Sequence, residues 1–425
     1  MTIKKQLSLD IEKEYKIAKK LGRYLLAKII SKFPTSSEYW GPPKDIYEET
    51  YDWFVRSQAK DCNFQAHYQA LYPAEVRRQI EDPKGLQIDP PWQFRRLLGA
   101  PNYESPIDFL VTISDGRIYS SSASVITPDD YLLSDLSREF DYNQGKHSIF
   151  FRMKLPQVSY LKETVAVLAT AGGNTYWHWM FDILSRYHLL EKSGIALDSI
   201  DKFIINKVHL PFQKETLQKV GIPDAKILFS RKYSHIKASR LIVPSIPRNV
   251  PKPWVIDFLR KRILNDNEVE NGEVISGKYL YISRDDAKTR RVCNEIEVVQ
   301  YLETLGFRSI TLAGRSVTEQ AKIFATADCI VAPHGSALTN IIFCQPGTKI
   351  IDIFPPEYIN PCYWILSNQL GLNYYYLVGK GTLIPAPPQN YNPEVWAKLK
   401  HNNRVDITVD IQGLRQILEL VGLGI

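Results

Sequence analysis

Three stretches of this chain gather residues able to bind an anion or move a proton. In AGGNTYWHWMFD, residues 171–182, His178 and Asp182 lie four apart, the spacing that makes side chains neighbours on a helix. An imidazole or carboxylate held near a hydroxyl can act as a general base; the same pair reads equally as a plain hydrogen bond along a helix. Asn174 stands where a helix N-cap belongs, and Gly172 and Gly173 open the backbone before it. Trp177 and Phe181 share one helical face and are expected to anchor the helix. In CIVAPHGSALTNIIF, residues 329–343, an apolar strand runs into His334, Gly335 and Ser336, and a helix begins there. Small residues permit close approach, and a helix start offers unpaired N–H groups to phosphate.

The third stretch is YLYISRDDAKTRRVCNE, residues 279–295, where Arg284 closes a strand and Arg290 and Arg291 follow. Guanidinium groups suit bidentate phosphate contact. For Arg290 and Arg291, surface salt bridges are an equal reading. Asp285 and Asp286 are followed at once by Lys288 and two arginines, so the pair reads as solvated and no metal site is expected. Asp352 closes the strand TKIIDIF, where a carboxylate often accepts ribose hydroxyls; a charged residue at a strand end is the plain alternative.

These positions gain meaning from the elements that carry them. From residue 164 onward apolar runs of strand length alternate with helical patterns. Strands are expected at 164–172, 202–206, 225–229 and 238–244, with helices at 175–192 and 211–220. After PSIPRNVPKP, residues 244–253, a second run begins, with strands at 278–284, 308–312, 328–333, 349–354 and 373–378. Such alternation predicts βαβ units and parallel sheets. The expected architecture is α/β: a helical and irregular N-terminal extension over 1–104, then two Rossmann-type domains, 105–250 and 251–425, facing across a cleft. In open α/β sheets ligands sit at the carboxyl ends of strands, and Asn174, Arg284, His334 and Asp352 all follow or close one.

Composition narrows the class. The 425 residues are 44% hydrophobic and 23% charged, which is ordinary for a globular protein and enough for two cores. The five cysteines are dispersed, with no C-x-x-C pair, so neither a disulfide framework nor a zinc knuckle is expected. Cys329 and Cys344 read as core residues. No apolar run approaches the roughly 20 residues of a membrane helix, and no signal peptide is visible, so a cytoplasmic protein is expected. The net charge is +7; no nucleic-acid module accompanies it, and no nucleic-acid partner is expected. The segment 15–33 is basic and amphipathic. It reads either as a helix packed on its own protein or, over 10–33, as a peripheral contact with the inner face of a membrane.

GGNTYWHWMFD, YISRDDAKTRRVCNEIEVVQYLETLGF and EQAKIFATADCIVAPHGSALTNIIFCQPGTKIIDIFP, in this order, resemble glycosyltransferase family 61 over about residues 105–380. The resemblance implies a GT-B fold and an inverting, Leloir-type transferase. It implies a nucleotide-sugar donor as co-substrate, no further cofactor and no obligatory metal. The acceptor would be a hydroxyl of a glycan or polysaccharide. Carried onto this chain, Arg284, His334, Gly335 and Ser336 would hold the diphosphate, and His178 and Asp182 would lie on the acceptor side. Asp352 stands where the family more often has glutamate, and HGSAL replaces the commoner HGAGL. The rival reading is a non-catalytic glycan-binding or scaffold protein that keeps the fold. A dinucleotide oxidoreductase ranks last, because no G-x-G-x-x-G turn follows any expected strand.

Overall fold

The computed structural model describes residues 19, 21–30, 36–59, 62–78, 82–86, 90–98, 102–140, 147–247, 251–264, 278–381, 383 and 404–423. The chain divides into two compact units, Met1–Pro73 with Ile107–Pro247 and Ala74–Pro106 with Arg248–Ile425. The first hundred residues are thus shared between the units. They hold strands as well as helices, among them Asp45–Tyr47, Ala66–Tyr72 and Glu75–Arg78. Of the helix expected over 15–33, residues 21–30 are helical, while 15–18, 20 and 31–33 lie outside the described residues.

In the first unit, Ser159–Val167 runs parallel to Lys202–Ile205 on one side and to His235–Pro244 on the other; Ile227–Phe229 extends the parallel set. Parallel neighbours need crossovers, and helical residues after Ser159–Val167 and the helix Pro211–Val220 supply them. That second helix has proline in its first turn and is closed by Gly221 at φ +82°, a left-handed cap that suits glycine. His235–Pro244 also pairs antiparallel with Asp108–Ser114 and Arg117–Tyr119. Ala66–Tyr72 adds to Asp108–Ser114, again antiparallel. The sheet is therefore mixed, not the parallel sheet expected. Arg117–Tyr119 and Ser124–Ile126 pair locally, but Asp108–Ser114 pairs with Ala66–Tyr72 and His235–Pro244, both distant in sequence, and no local pattern announces such pairing. Val111, Ile113, Val165, Val167, Leu241 and Val243 are fully buried in its core.

Among the described residues of the second unit, one sheet has five parallel strands in the order Arg308–Ile310, Tyr279–Ile282, Cys329–Pro333, Lys349–Phe354, Asn373–Val378. Numbered along the chain this is 2-1-3-4-5, so the winding reverses between Tyr279–Ile282 and Cys329–Pro333. At such a reversal the connections leave in opposite directions and open a crevice at the carboxyl ends. Helix Val317–Ala325 begins with a capping box: Glu319 N–H donates to Ser316 Oγ at 3.1 Å, and Ser316 N–H to Glu319 Oε2 at 2.6 Å. Helix Ile411–Leu420, unannounced by the motifs, buries Leu414, Ile417 and Leu418 on the same core as Val331 and Ile351. Cys329 and Cys344 are buried, and burial pushes the Cys329 thiol up to about 12.

Candidate functional site

In the first unit the turn after Ser159–Val167 leads into a helix of three parts: Tyr176–His178 is α, Trp179–Leu184 is π, and Ser185–Lys192 is α again. One wider turn shifts the register of everything after it. Trp177, ahead of that turn, is only partly buried with its ring 4.5 Å from that of Phe181, while Trp179 is fully buried and donates from Nε1 to Thr216 Oγ1 at 2.8 Å. The tryptophan anchor is Trp179, beside the buried Phe181, rather than the expected Trp177. The N-cap is Thr175, and Asn174 is exposed one residue earlier, not at the cap. Gly172 has φ +75°, and a Cβ there would lie 2.5 Å from His178 Cδ2, so only glycine accommodates both the turn and the ring.

His178 Nδ1 and Asp182 Oδ2 are 2.8 Å apart, and Arg138 Nη1 donates to the same Oδ2 at 3.0 Å. Sequence reasoning missed Arg138: it comes from a loop more than forty residues upstream, and no spacing links it to the motif. Phe140, two residues on, packs its ring 5.0 Å from that of His178 and 5.5 Å from the Arg138 guanidinium. The Asp182 side chain is only 5% exposed, against 20% for His178. Deeper still, Arg186 is fully buried and donates to the carbonyls of Ala169 and Pro244 at 2.7–3.0 Å. Burial pushes Arg186 down to about 9, and the charge of Asp182 opposes that shift. Asp182 is thus committed to two donors. An Nδ1–H donated to it leaves the lone pair of His178 on Nε2, the arrangement of an oriented general base.

In the second unit both walls of the reversal carry the expected residues. Arg284 follows Tyr279–Ile282, donates from Nη2 to Thr289 O at 3.2 Å, and keeps a buried Nε without a partner. Burial, and next the neighbouring Arg290, hold its pKa below the usual arginine range. Arg290 lies in the left-handed region at φ +57°, a strained state for such a residue. Its guanidinium sits 5.0 Å from the Tyr358 ring, and its Nε is also buried without a partner. Arg291 instead pairs with Asp406 at 3.5 Å, and Asp285 and Asp286 are exposed. Crowding two guanidiniums with buried donors unmet leaves a strong demand for an anion.

On the opposite wall, Cys329–Pro333 ends in His334 and Gly335, and the helix Ser336–Phe343 that follows is a 3-10 helix. A Cβ on Gly335 would overlap the Arg284 guanidinium, so the glycine is there for space. Among the described residues, the amides of Gly335, Ser336 and Ala337 donate to no backbone or side-chain acceptor. With Gly335 extended, these amides are unpaired donors at the start of a helix, where an anion can be met. His334 is buried, with Nδ1 2.9 Å from Asp352 Oδ2 and its ring stacked 4.6 Å from Phe354. Asp352 is fully buried and also accepts from the Tyr374 hydroxyl at 3.0 Å. Its carboxylate is thus engaged beneath His334 instead of facing outward.

Among the described residues no group of three or more His, Cys, Asp or Glu side chains could hold a metal ion. A cavity of about 970 Å3 lies elsewhere in the first unit, lined by Gln65, His67, Gln69, Thr112, Ser114 and Arg240 among others.

Residues 176–351 are similar to the family model described as Glycosyltransferase 61, the family whose motifs the chain resembles, which supports a glycosyltransferase in general terms. The match holds His178, Asp182, Arg284, Arg290 and His334 to Ser336; Arg138, Asn174 and Asp352 fall outside it. Comparison with curated proteins gave no match.

Proposed function

We propose that the chain is an inverting, Leloir-type glycosyltransferase that moves a sugar from a nucleotide-sugar donor to a hydroxyl of a glycan or polysaccharide. The observation that carries this is the reversal point of the second unit. There the free amides of residues 335–337 and the unmet donors of Arg284 and Arg290 converge on the carboxyl ends of two strands. A diphosphate is the ligand whose charge and oxygens satisfy them together. In a GT-B-like division of labour, the second unit holds the donor and the first supplies the base.

In this reading His178 Nε2 takes the proton of the acceptor hydroxyl while Asp182 holds its Nδ1–H. The hydroxyl oxygen attacks the anomeric carbon opposite the leaving nucleoside diphosphate, so the configuration inverts. Arg284, Arg290 and the amides of residues 335–337 meet the charge that grows on the leaving phosphate. Asp352 fixes the His334 ring, so that Nε2 is presented to the same anion. A thermal-shift screen with UDP-, GDP- and dTDP-sugars identifies the donor, a response to a CMP-sugar alone, which carries a single phosphate, contradicts the diphosphate site, and NMR of the product reports the anomeric configuration. A shift with one donor, an inverted product and unchanged turnover with EDTA support the proposal; a retained configuration contradicts it, and binding without transfer favours the non-catalytic reading.

A further inference from the structure

Residues 21–30 form a helix held to the first unit by one face only. Ala27 is fully buried, the Tyr24 ring lies 5.3 Å from that of Phe151, and Ile30 packs on Gly41. At about 100° per residue, these three share one side. On the other side, Leu21, Leu25, Leu26 and Ile29 are 44%, 54%, 43% and 57% exposed. With Gly22 they fill a sector of about 140° that contains no charged residue, bordered by the exposed Lys19 and Lys28. Tyr39 and Trp40, which precede Gly41, are 73% and 49% exposed. Four large apolar side chains in one row are more than scattered surface exposure supplies.

Charge identifies what covers them. Residues 1–33 contain nine Lys or Arg and three Asp or Glu, so this segment holds six of the seven net positive charges of the chain. The remaining residues are almost neutral. Apolar residues on one helix face, basic residues at its margins and exposed Trp and Tyr beside it are the composition that settles at a lipid headgroup boundary. A second copy would bury the row but set one basic segment against another, and a protein partner would need both a matching apolar groove and an acidic rim, which an anionic lipid surface supplies together.

We infer that the helix at 21–30 docks the protein on an anionic membrane surface, lying in the headgroup plane with Leu21, Leu25, Leu26 and Ile29 turned to the acyl chains. No described helix is long and apolar enough to cross a membrane, and the inferred contact lies along the surface. The inference is independent of the sugar-transfer reading and stands or falls without it.

The test is flotation of the full chain with phosphatidylcholine vesicles, with and without phosphatidylglycerol, beside sedimentation without lipid. The wild type floats with the anionic vesicles, about tenfold or more better than with neutral ones, and salt weakens the binding. The double substitution Leu25→Asp and Ile29→Asp, at exposed positions, abolishes flotation with the melting temperature unchanged. Lys28→Glu, a charge reversal at the exposed margin of the apolar row, lowers partition by roughly tenfold. Equal flotation of the doubly substituted and wild-type chains overturns the inference, as does failure of the wild type to float. So does a wild-type dimer that the double substitution dissociates without any vesicle binding, which makes a second copy the occupant.

Discussion

At the scale of single residues, Asp182 and His178 have separable duties. Asp182 is shielded and shared between His178 and Arg138, whereas His178 keeps Nε2 for a substrate. His178→Ala therefore lowers kcat by about a hundredfold to ten-thousandfold and leaves donor affinity unchanged; steady-state kinetics with a titrated donor check both. Full activity in His178→Ala beside a dead Asp182→Asn would instead make Asp182 the base. The helical spacing made this pair legible in the sequence. Arg138 was not, since a loop residue reaches the site only through tertiary packing. Asp352 shows the opposite limit: its place at a strand end was legible, but whether it faces outward or turns beneath His334 depends on Tyr374 and Phe354.

At the scale of elements, the π turn at Trp179–Leu184 decides which aromatic residue is structural. An α-helical register pairs Trp177 with Phe181, and their rings do meet at 4.5 Å, but the fully buried tryptophan is Trp179, where the π turn starts. Nothing local encodes that choice. It follows from the fit of Trp179 against Thr216 on the next helix. Trp179→Ala should cost about 3–5 kcal/mol of unfolding free energy, measured by denaturant titration, whereas Trp177→Ala should cost much less. Equal losses would contradict the assignment. The second unit was more readable: Lys349–Phe354, Asn373–Val378 and Pro211–Val220 in the first unit match the expected bounds. Each is an apolar run or a capped helix whose signal is local. Ala66–Tyr72 was unread, because its partner Asp108–Ser114 lies some forty residues away.

At the scale of the whole molecule, the reading joins an α/β chain of two units to one chemistry, and its stability carries a separate signature. His235 and His147 are buried, and burial holds both below the ordinary histidine value of 6.5. His235 is packed among Arg117, Glu38 and Asp130; its Nδ1 lies 2.8 Å from Pro156 O, and Nε2 faces Arg117 Nη1. Below pH 6.5 the unfolded chain binds protons that these native side chains refuse, so stability falls as the pH drops from there toward the lowered native values. Melting temperature between about pH 5 and 7 should show this slope, and His235→Gln should flatten it. An unchanged slope would place the dependence elsewhere.

The central claim is that the reversal point of the second unit binds the diphosphate of a sugar donor. Calorimetric titration of the identified donor into the wild type, Arg284→Ala and Asp182→Asn tests it most directly. The account predicts that Arg284→Ala loses about tenfold to a hundredfold in affinity, while Asp182→Asn binds as the wild type does. Full donor affinity in a folded Arg284→Ala protein would contradict it.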